Sequence, residues 1–73
     1  MTLKEDKIVV SESEEITLLL ISEQSIFVVL AIEWIHTQTG THDLKQGSQK
    51  IFKSFGSQKE AEDFFDELII KWR

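Results

Sequence analysis

The two histidines are the side chains of this chain best suited to bind a metal ion. His36 and His42 are six residues apart, and Asp43 follows the second. A structural zinc site needs four ligands that converge on one point. His36 falls at the end of a predicted strand and His42 in a predicted loop, so the local pattern does not force the two rings together. We therefore interpret both as polar surface histidines and assign no metal and no cofactor.

Catalysis has few candidate groups in this sequence. Cysteine and tyrosine are absent, and neither a G-x-S-x-G motif nor a phosphate-binding loop occurs. Ser57 is followed three residues later by Glu60, which is the S-x-x-E pattern of a helix capping box, so we interpret it as a cap and not as a nucleophile. Paired carboxylates need a cleft for acid–base work, and a small sheet with one helix offers little room. We expect no enzymatic activity.

Aromatic and lysine side chains are interleaved in one stretch, residues 45–55, which contains no acidic residue. Single-stranded nucleic acids bind to aromatic platforms that lie in a basic groove. The competing interpretation is that Phe52 or Phe55 belongs to the core and that the lysines are solvated at the rim of a sheet, where charge discourages aggregation. We favour the second interpretation and keep nucleic-acid binding as the alternative. The candidate nucleic-acid residues are Trp34, Lys45, Lys50, Phe52 and Lys53.

Acidic side chains dominate the polar side of the C-terminal segment, and the whole chain carries a net charge of −5. Such a balance disfavours wide contact with a phosphate backbone, which needs clustered Lys and Arg. An acidic face is usually only solvated, but it also suits a basic protein partner. Our first functional hypothesis is therefore a small non-catalytic interaction module, adaptor-like or inhibitor-like. Its candidate partner-binding residues are Glu62, Asp66 and Glu67.

Length and composition predict one small domain, residues 1–73. Hydrophobic residues make up 41% and charged residues 29% of the chain, which is typical of a folded globule. A chain of this size buries only about 60% of its unfolded surface. Because no cysteine is present for a disulfide, oligomerisation is the remaining common way to add stability.

No segment has the pattern of a signal peptide or a membrane span. Residues 1–7 are polar and charged, and the longest apolar run, Ile26–Ile32, has seven residues. A helix that spans a bilayer needs about 20. We expect a cytoplasmic protein that does not bind membranes.

The C-terminal segment has the pattern of an amphipathic helix. Its apolar residues recur at helical spacing, so they share one face; they are Ala61, Phe64, Phe65, Leu68, Ile69 and Trp72. Ser57 and Glu60 predict its start. Lys71 and Arg73 lie in the last turn, where positive charge is favourable.

The rest of the chain has strand patterns separated by short polar turns, Ser11–Glu14 and Ser22–Ser25. The predicted strands are Lys7–Val10, Ile16–Ile21, Ile26 to about Gln38, and Gln49–Phe55. Residues 39–47 contain two glycines and predict a mobile loop. Short connections favour antiparallel pairing of neighbours. The predicted fold is therefore α+β: a four-stranded antiparallel meander with one C-terminal amphipathic helix packed on one face.

The second and third predicted strands are apolar on both faces. Along the third, one face carries Ile26, Val28, Leu30, Ile32 and Trp34, and the other carries Phe27, Val29, Ala31 and Ile35. A strand with one solvated face should alternate apolar and polar residues. Since one helix covers one face, we expect the second face to pack on another copy in a homodimer. The alternative is that exposed apolar residues are scattered singly, which is normal.

Two partial resemblances accompany this pattern, each over about half the chain. Residues 31–34, then Gly40, then residues 44–51 resemble the second strand, the loop and the lysine-bearing strand of single-strand-binding transcriptional coactivators, although the proline of that pattern is absent. Residues 55–57 and Ala61 are similar to the strand end and helix start of the WGR domain, but its Gly and Arg are missing after Trp34. The resemblances imply an oligomeric sheet–helix module and contact with nucleic acid; neither assigns the chain to a family.

Overall fold

The computed structural model describes residues 1–39 and 42–73, with the side chains of residues 1–37 and 44–73. Its elements follow one another as four strands and a helix: β1 (Thr2–Val9), β2 (Glu14–Glu23), β3 (Ile26–Thr39), β4 (His42–Phe55) and α1 (Gln58–Trp72). The strands form one antiparallel sheet in the order β1-β2-β3-β4. This confirms the predicted α+β meander with a C-terminal helix.

The β2–β3 hairpin has a two-residue turn. Glu23 pairs with Ile26, so only Gln24 and Ser25 connect the strands. Gln24 has φ of 53°, in the left-handed region that side-chain-bearing residues seldom adopt. So short a turn leaves no freedom to slip, and it therefore fixes which side chains of β2 and β3 share a face.

The β3–β4 hairpin is longer than the rest of the sheet. Pairing of β2 with β3 ends at Glu14 and Ile35, whereas β3 and β4 stay paired from Phe27 and Phe55 to Thr39 and His42. The predicted overhang of the third strand is confirmed relative to β2. Both β3 and β4 extend beyond β2, because β4 stays paired with β3 from Phe27 to Thr39.

The predicted boundaries of the outer strands were too short. β1 begins at Thr2, β3 ends at Thr39 and β4 begins at His42, so the prediction of a mobile loop over residues 39–47 was wrong for Thr39 and for residues 42–47. Those residues are mostly polar and lack strand propensity, but the hydrogen-bond ladder of β3 supplies their partners. Pairing thus overrides local propensity, which is weak and dependent on context in strands. Gly40 and Thr41 of that loop lie outside the described residues.

Helix α1 covers one face of the sheet and forms the core with it. The residues of this core are Ile8, Ile16, Leu18, Leu20, Val29 and Ala31 from the strands and Ala61, Phe65 and Leu68 from the helix. Phe55, Phe64 and Trp72 are partly buried around it. The helix therefore selects the face of β2 that carries Leu18 and Leu20, and the predicted apolar stripe of the helix is confirmed as the surface that packs.

The start of α1 is where expected, but its cap differs. Ser57 is the N-cap, with extended φ and ψ of −126° and 133°, and its side chain makes no capping hydrogen bond. The predicted capping-box bond of the hydroxyl is therefore wrong. The Ser57 carbonyl oxygen does accept a hydrogen bond from the Ala61 backbone N–H at 3.2 Å. Packing of Phe65 and Leu68, more than a side-chain cap, stabilises this helix.

Ion pairs join α1 to the edge strand β1. The Arg73 guanidinium donates to both carboxylate oxygens of Asp6, at 3.1 and 2.9 Å, and the Lys4 ammonium lies 3.7 Å from Asp66. Both hydrogen bonds come from the same nitrogen, Nη2, and such charge-assisted contacts join the end of the helix to β1. No helix in the described part of the chain is long and apolar enough to cross a membrane.

Candidate functional site

The face of the sheet opposite α1 is a second apolar surface, and no described element packs on it. We call it the open face. Strand alternation and the observed register place its apolar side chains together. Val9 and Ile26 lie at its margins, and the seven between them are Leu19, Ile21, Val28, Leu30, Ile32, Trp34 and Phe52. Six of them are half-buried by their neighbours, and Phe52 is 59% exposed. The prediction that the central strands are apolar on both faces is confirmed.

A groove crosses the open face beside Phe52. Its volume is about 340 Å³, and its lining is Leu30, Ile32, Trp34, Gly47, Ser48 and Gln49. The groove exists because β4 has no bulky side chain at Gly47. A Cβ atom built there would lie 2.5 Å from Cζ3 of Trp34, so the indole ring occupies the space above this glycine. Sequence reasoning had placed Gly47 in a loop and so missed that it seats the tryptophan.

Polar contacts hold Trp34 at the end of the open face. Its indole Nε1–H donates to Thr17 Oγ1 at 3.1 Å, and Lys45 Nζ lies 4.9 Å from the ring centroid. A cation at this distance from an indole face is attracted to it. The same ammonium lies 3.1 Å from Glu15 Oε1. Trp34 is therefore fixed on both sides, and a ligand of the open face would meet an ordered ring.

The carboxyl group of Glu15 is the titratable group whose pKa responds to this arrangement. The hydrogen bond and the positive charge of Lys45 lower the pKa of Glu15 below its ordinary value, partly offset by desolvation, and Lys7 and His36 add smaller attractions. The carboxylate is thus kept ionised next to the lysine. Sequence reasoning missed Glu15 and Thr17, because their pairing with β3 appears only once the register is known.

The structure divides the candidate nucleic-acid residues between the two faces of the sheet. Trp34, Lys45 and Phe52 belong to the open face. Lys50 and Lys53 lie on the helix side, where Lys50 Nζ is 3.3 Å from Glu33 Oε2 and 5.6 Å from the Trp72 ring centroid. The register shifts between Ala31 and Ile32, so one residue of β4 is extra, and a bulge of this kind re-aims side chains.

The neighbours of Lys53 explain its placement. Its Nζ lies 5.3 Å from the ring centroid of Phe55 and 5.0 Å from that of Phe64, at the margin of the covered core. Phe55 packs against that core, as the favoured interpretation of the segment predicted for one of its two phenylalanines. Phe52 does not, because it lies on the open face.

The acidic candidates Glu62, Asp66 and Glu67 lie on the helix, on the other side of the molecule from the open face. Glu62 accepts a hydrogen bond from Gln58 at 3.0 Å, and Asp66 faces Lys4 of β1. Glu67 is exposed. Two of the three carboxylates therefore already have a contact within the chain, and the three do not converge with the aromatic candidates.

The candidate metal ligands are only partly described. His36 is exposed, and its backbone N–H donates to the Ser13 carbonyl oxygen at 2.7 Å. The side chains of His42 and Asp43 lie outside the described residues. Among the side chains that are described, no three of His, Asp and Glu are close enough to share a metal ion.

Comparison of the chain with protein-family models, with curated proteins and with solved structures finds no match. Function is therefore inferred from the geometry of the chain itself. That geometry offers a broad apolar surface, a groove and an ordered indole ring on one side, and an acidic helix on the other.

Proposed function

We propose that this protein is a small non-catalytic protein-interaction module and that its open face is the contact surface. The observation that carries the proposal is the set of seven apolar side chains on a sheet face that no described element covers. Contiguous apolar surface of this kind marks interaction sites, whereas single exposed apolar residues need no explanation. A protein partner would bury it by the same packing that α1 provides on the other face.

The amount of exposed surface supports this proposal. The accessible surface is 5172 Å², compared with about 4,650 Å² expected for a compact monomer of this mass. The radius of gyration is 13.9 Å, compared with about 11 Å for a compact domain of this length. The chain therefore exposes more surface than its size requires. The β3–β4 hairpin that extends beyond β2 contributes to this excess, and so does the sheet face that no described element covers.

Charge on the open face favours a protein over a nucleic acid. Lys45 is the lysine closest to the aromatic platform, and it is paired with Glu15 at 3.1 Å. Lys50 and Lys53 lie on the opposite face. A surface with few unpaired lysines neutralises few phosphates and releases few counterions from the nucleic acid, so it gains little binding free energy from phosphate contacts. The apolar area, in contrast, needs no charge to bind a protein.

Affinity isolation with three forms of the protein tests the proposal. The open-face variant is Leu30→Thr/Phe52→Thr, because threonine keeps strand propensity while removing apolar area. The matched control is Ile70→Thr, which removes an apolar side chain that is 79% exposed on the helix. We expect a specific partner to bind the wild-type protein and the Ile70 variant and to be lost from the open-face variant, with circular dichroism showing that all three fold.

The acidic helix is tested in parallel by reversing its three carboxylates, with Glu62→Lys, Asp66→Lys and Glu67→Lys combined. If the partner is retained by the open-face variant and lost on charge reversal, the contact surface is the helix and the proposal is wrong. Salt dependence adds a second criterion. Contacts through an acidic face weaken as salt rises, whereas apolar contacts weaken little.

Single-stranded nucleic-acid binding is the second candidate function. The specific observation that favours it is that Trp34, Lys45 and Phe52 share the open face, with the Lys45 ammonium 4.9 Å from the indole centroid. Titration with a single-stranded oligonucleotide at low salt, followed by tryptophan fluorescence, tests it. Quenching that is lost in Trp34→Phe and at high salt would support this function; a flat titration would exclude it.

A further inference from the structure

We propose that the partner of the open face is a second copy of this chain, packed face to face with it. The twofold axis of this dimer lies between the two sheets, perpendicular to the strands and level with Ala31. In this dimer Phe52 of each copy enters the groove of the other. The inference rests on the proposed function, since it names the occupant of the same surface. It is carried by the register of the four strands, the charges at the edge of the open face, and the position of Phe52 beside the groove.

The register arranges the open face in rows that run across the sheet. The row of Leu30 consists of Glu5, Leu19, Leu30 and Phe52. The next row, that of Ile32, consists of Lys7, Thr17, Ile32 and Gln49. Ala31 lies between them and points to the other face. The two rows are therefore neighbours at the centre of the apolar stripe that runs from Val28 to Trp34.

A twofold axis between these rows exchanges them. It places the Leu30 row of one copy on the Ile32 row of the other, and the residues at equal positions across the sheet face each other. Phe52, which is 59% exposed, then lies over the groove that Ile32 and Gln49 line in the partner subunit. Every contact occurs twice, because an interface about a twofold axis is self-complementary.

The charges at the β1 edge of the open face agree with this axis. Glu5 stands in the Leu30 row and Lys7 in the Ile32 row, and both are exposed. Exchange of the rows brings Glu5 of one copy opposite Lys7 of the partner subunit, and the reverse. Two Glu–Lys ion pairs thus form at the rim of the interface, where charge complementarity fixes the register of association.

The helix surface is less suited to a symmetric dimer. Ile70 is the large apolar side chain that is exposed on α1. A single exposed apolar residue is normal on a protein surface and offers little area to a partner. The open face, in contrast, carries its apolar side chains side by side.

The size of the surface sets the expected affinity. The stripe from Val28 to Trp34 is about 20 Å long, and four strands are about 15 Å across, by the usual strand spacings. Such a footprint is small beside the roughly 800 Å² per partner of a standard interface. We therefore expect a dissociation constant on the order of micromolar, and a dimer whose population rises with protein concentration.

Complementation between two variants tests the contact directly. Phe52→Ala removes the inserted side chain, and Gln49→Trp fills the groove of its own chain from an exposed position. Each variant alone is expected to dimerise at least about 30-fold more weakly, as for a central interface residue. Mixed together they are expected to form a heterodimer more tightly than either forms a homodimer, because one intact Phe52 meets one intact groove.

Sedimentation velocity at protein concentrations from about 1 to about 500 µM measures the dissociation constants, because this range includes the expected micromolar value. Native mass spectrometry distinguishes heterodimers from homodimers by mass. The monomer is 8.5 kDa. Circular dichroism verifies that each variant folds. Ile70→Thr is the matched control and is expected to dimerise as the wild-type protein does.

A second pair of variants tests the axis. Glu5→Lys alone places like charges opposite each other and is expected to weaken the dimer about 2-fold to 5-fold, the usual size of an exposed ion pair. Adding Lys7→Glu in the same chain restores opposite signs and is expected to restore the dissociation constant. Failure of the double substitution to restore it contradicts the axis at Ala31.

The outcomes separate this inference from the proposed function. A wild-type chain that stays monomeric at all concentrations overturns the second copy as occupant, while affinity isolation still decides whether the open face binds another protein. If Phe52→Ala leaves the dissociation constant of the dimer unchanged, or if the two variants do not form a tighter heterodimer, the interface lies elsewhere and the inference is also overturned. Loss of dimerisation in Ile70→Thr would place the interface on the helix.

Discussion

The two faces of the sheet have similar apolar side chains but different surroundings. On the covered face, Leu18, Leu20 and Val29 are completely buried under α1. On the open face, their neighbours Leu19, Leu30 and Ile32 are only half-buried. Strand alternation therefore predicts apolar faces but does not determine which face becomes the core. The single helix makes that choice, and no described element covers the apolar surface of the other face.

The faces also differ in how polar groups are used. The covered core includes no buried polar or charged residue among those described, so area and close packing account for its stability. The open face ends in hydrogen bonds and an ion pair around Trp34, from Thr17, Lys45 and Glu15. Such contacts contribute little energy but fix geometry.

The largest expected difference between the faces is the loss of unfolding free energy when a phenylalanine on each face is replaced by alanine. Phe65 is 2% exposed beneath the helix and Phe52 is 59% exposed on the open face. Phe65→Ala is expected to cost about 3–5 kcal/mol of unfolding free energy through lost burial and a cavity. Phe52→Ala, measured by urea denaturation at a concentration where the chain is monomeric, is expected to cost less than about 1 kcal/mol. Equal costs would show that the open face is also part of the core.

Gly47 and Gly56 form a matched pair for the open face. Gly47→Ala puts a methyl group 2.5 Å from the Trp34 ring, whereas a Cβ at Gly56 meets nothing within 4 Å. Overpacking of this kind costs about 1–3 kcal/mol, so we expect Gly47→Ala to lower the urea midpoint and shift the tryptophan emission. Gly56→Ala should do neither. An unchanged emission in Gly47→Ala would mean that the indole does not lie over β4.

Ser57 gives a smaller effect. A serine N-cap that bonds a helix amide is worth about 1 kcal/mol, but the Ser57 hydroxyl makes no such bond. Ser57→Ala is therefore expected to change the unfolding free energy by less than about 0.5 kcal/mol. A full 1 kcal/mol loss by thermal or urea unfolding would show that the hydroxyl caps the helix in solution after all.

The pH dependence of Glu15 is expected to be the smallest effect, because the pair with Lys45 is in contact with solvent. Its pKa in the folded protein lies below the ordinary value of 4.5. The stability it contributes is therefore present above that ordinary value and is lost as pH falls through the folded pKa. Lys45→Met removes the main cause, so the NMR-measured pKa of Glu15 should rise toward its ordinary value. No rise would mean that Lys45 does not pair with Glu15.

Local patterns were sufficient to predict the order of the elements. Apolar spacing in residues 61–72 predicted α1, and β-branched runs with polar turns predicted the meander. They were not sufficient for the ends of β1 and β4, because polar residues such as those of 42–47 become strand only when a neighbour offers hydrogen bonds. The cap was also overestimated, since a capping sequence specifies residue types and leaves the side-chain rotamer open.

The candidate sites show the same division. The sequence singled out Trp34, Lys45 and Phe52, and these do share a face. It also included Lys53, which alternates with Phe52 and so lies on the helix side, and Lys50, the extra residue of the bulge between Gln49 and Ile51, which lies there too. A bulge leaves no mark in local composition, so alternation counted along the chain goes out of phase after it. Gly47 and Thr17 became relevant only when register placed them beside the indole ring.

Side-chain periodicity is a local property, so it was enough to predict a sheet with two apolar faces and one amphipathic helix. Which face the helix covers, and which groups meet on the other face, became clear from the folded chain. Those outcomes depend on register and on pairing between residues far apart in the chain. The open face is therefore a product of folding: one helix is enough to bury one side of this sheet and leaves the other available.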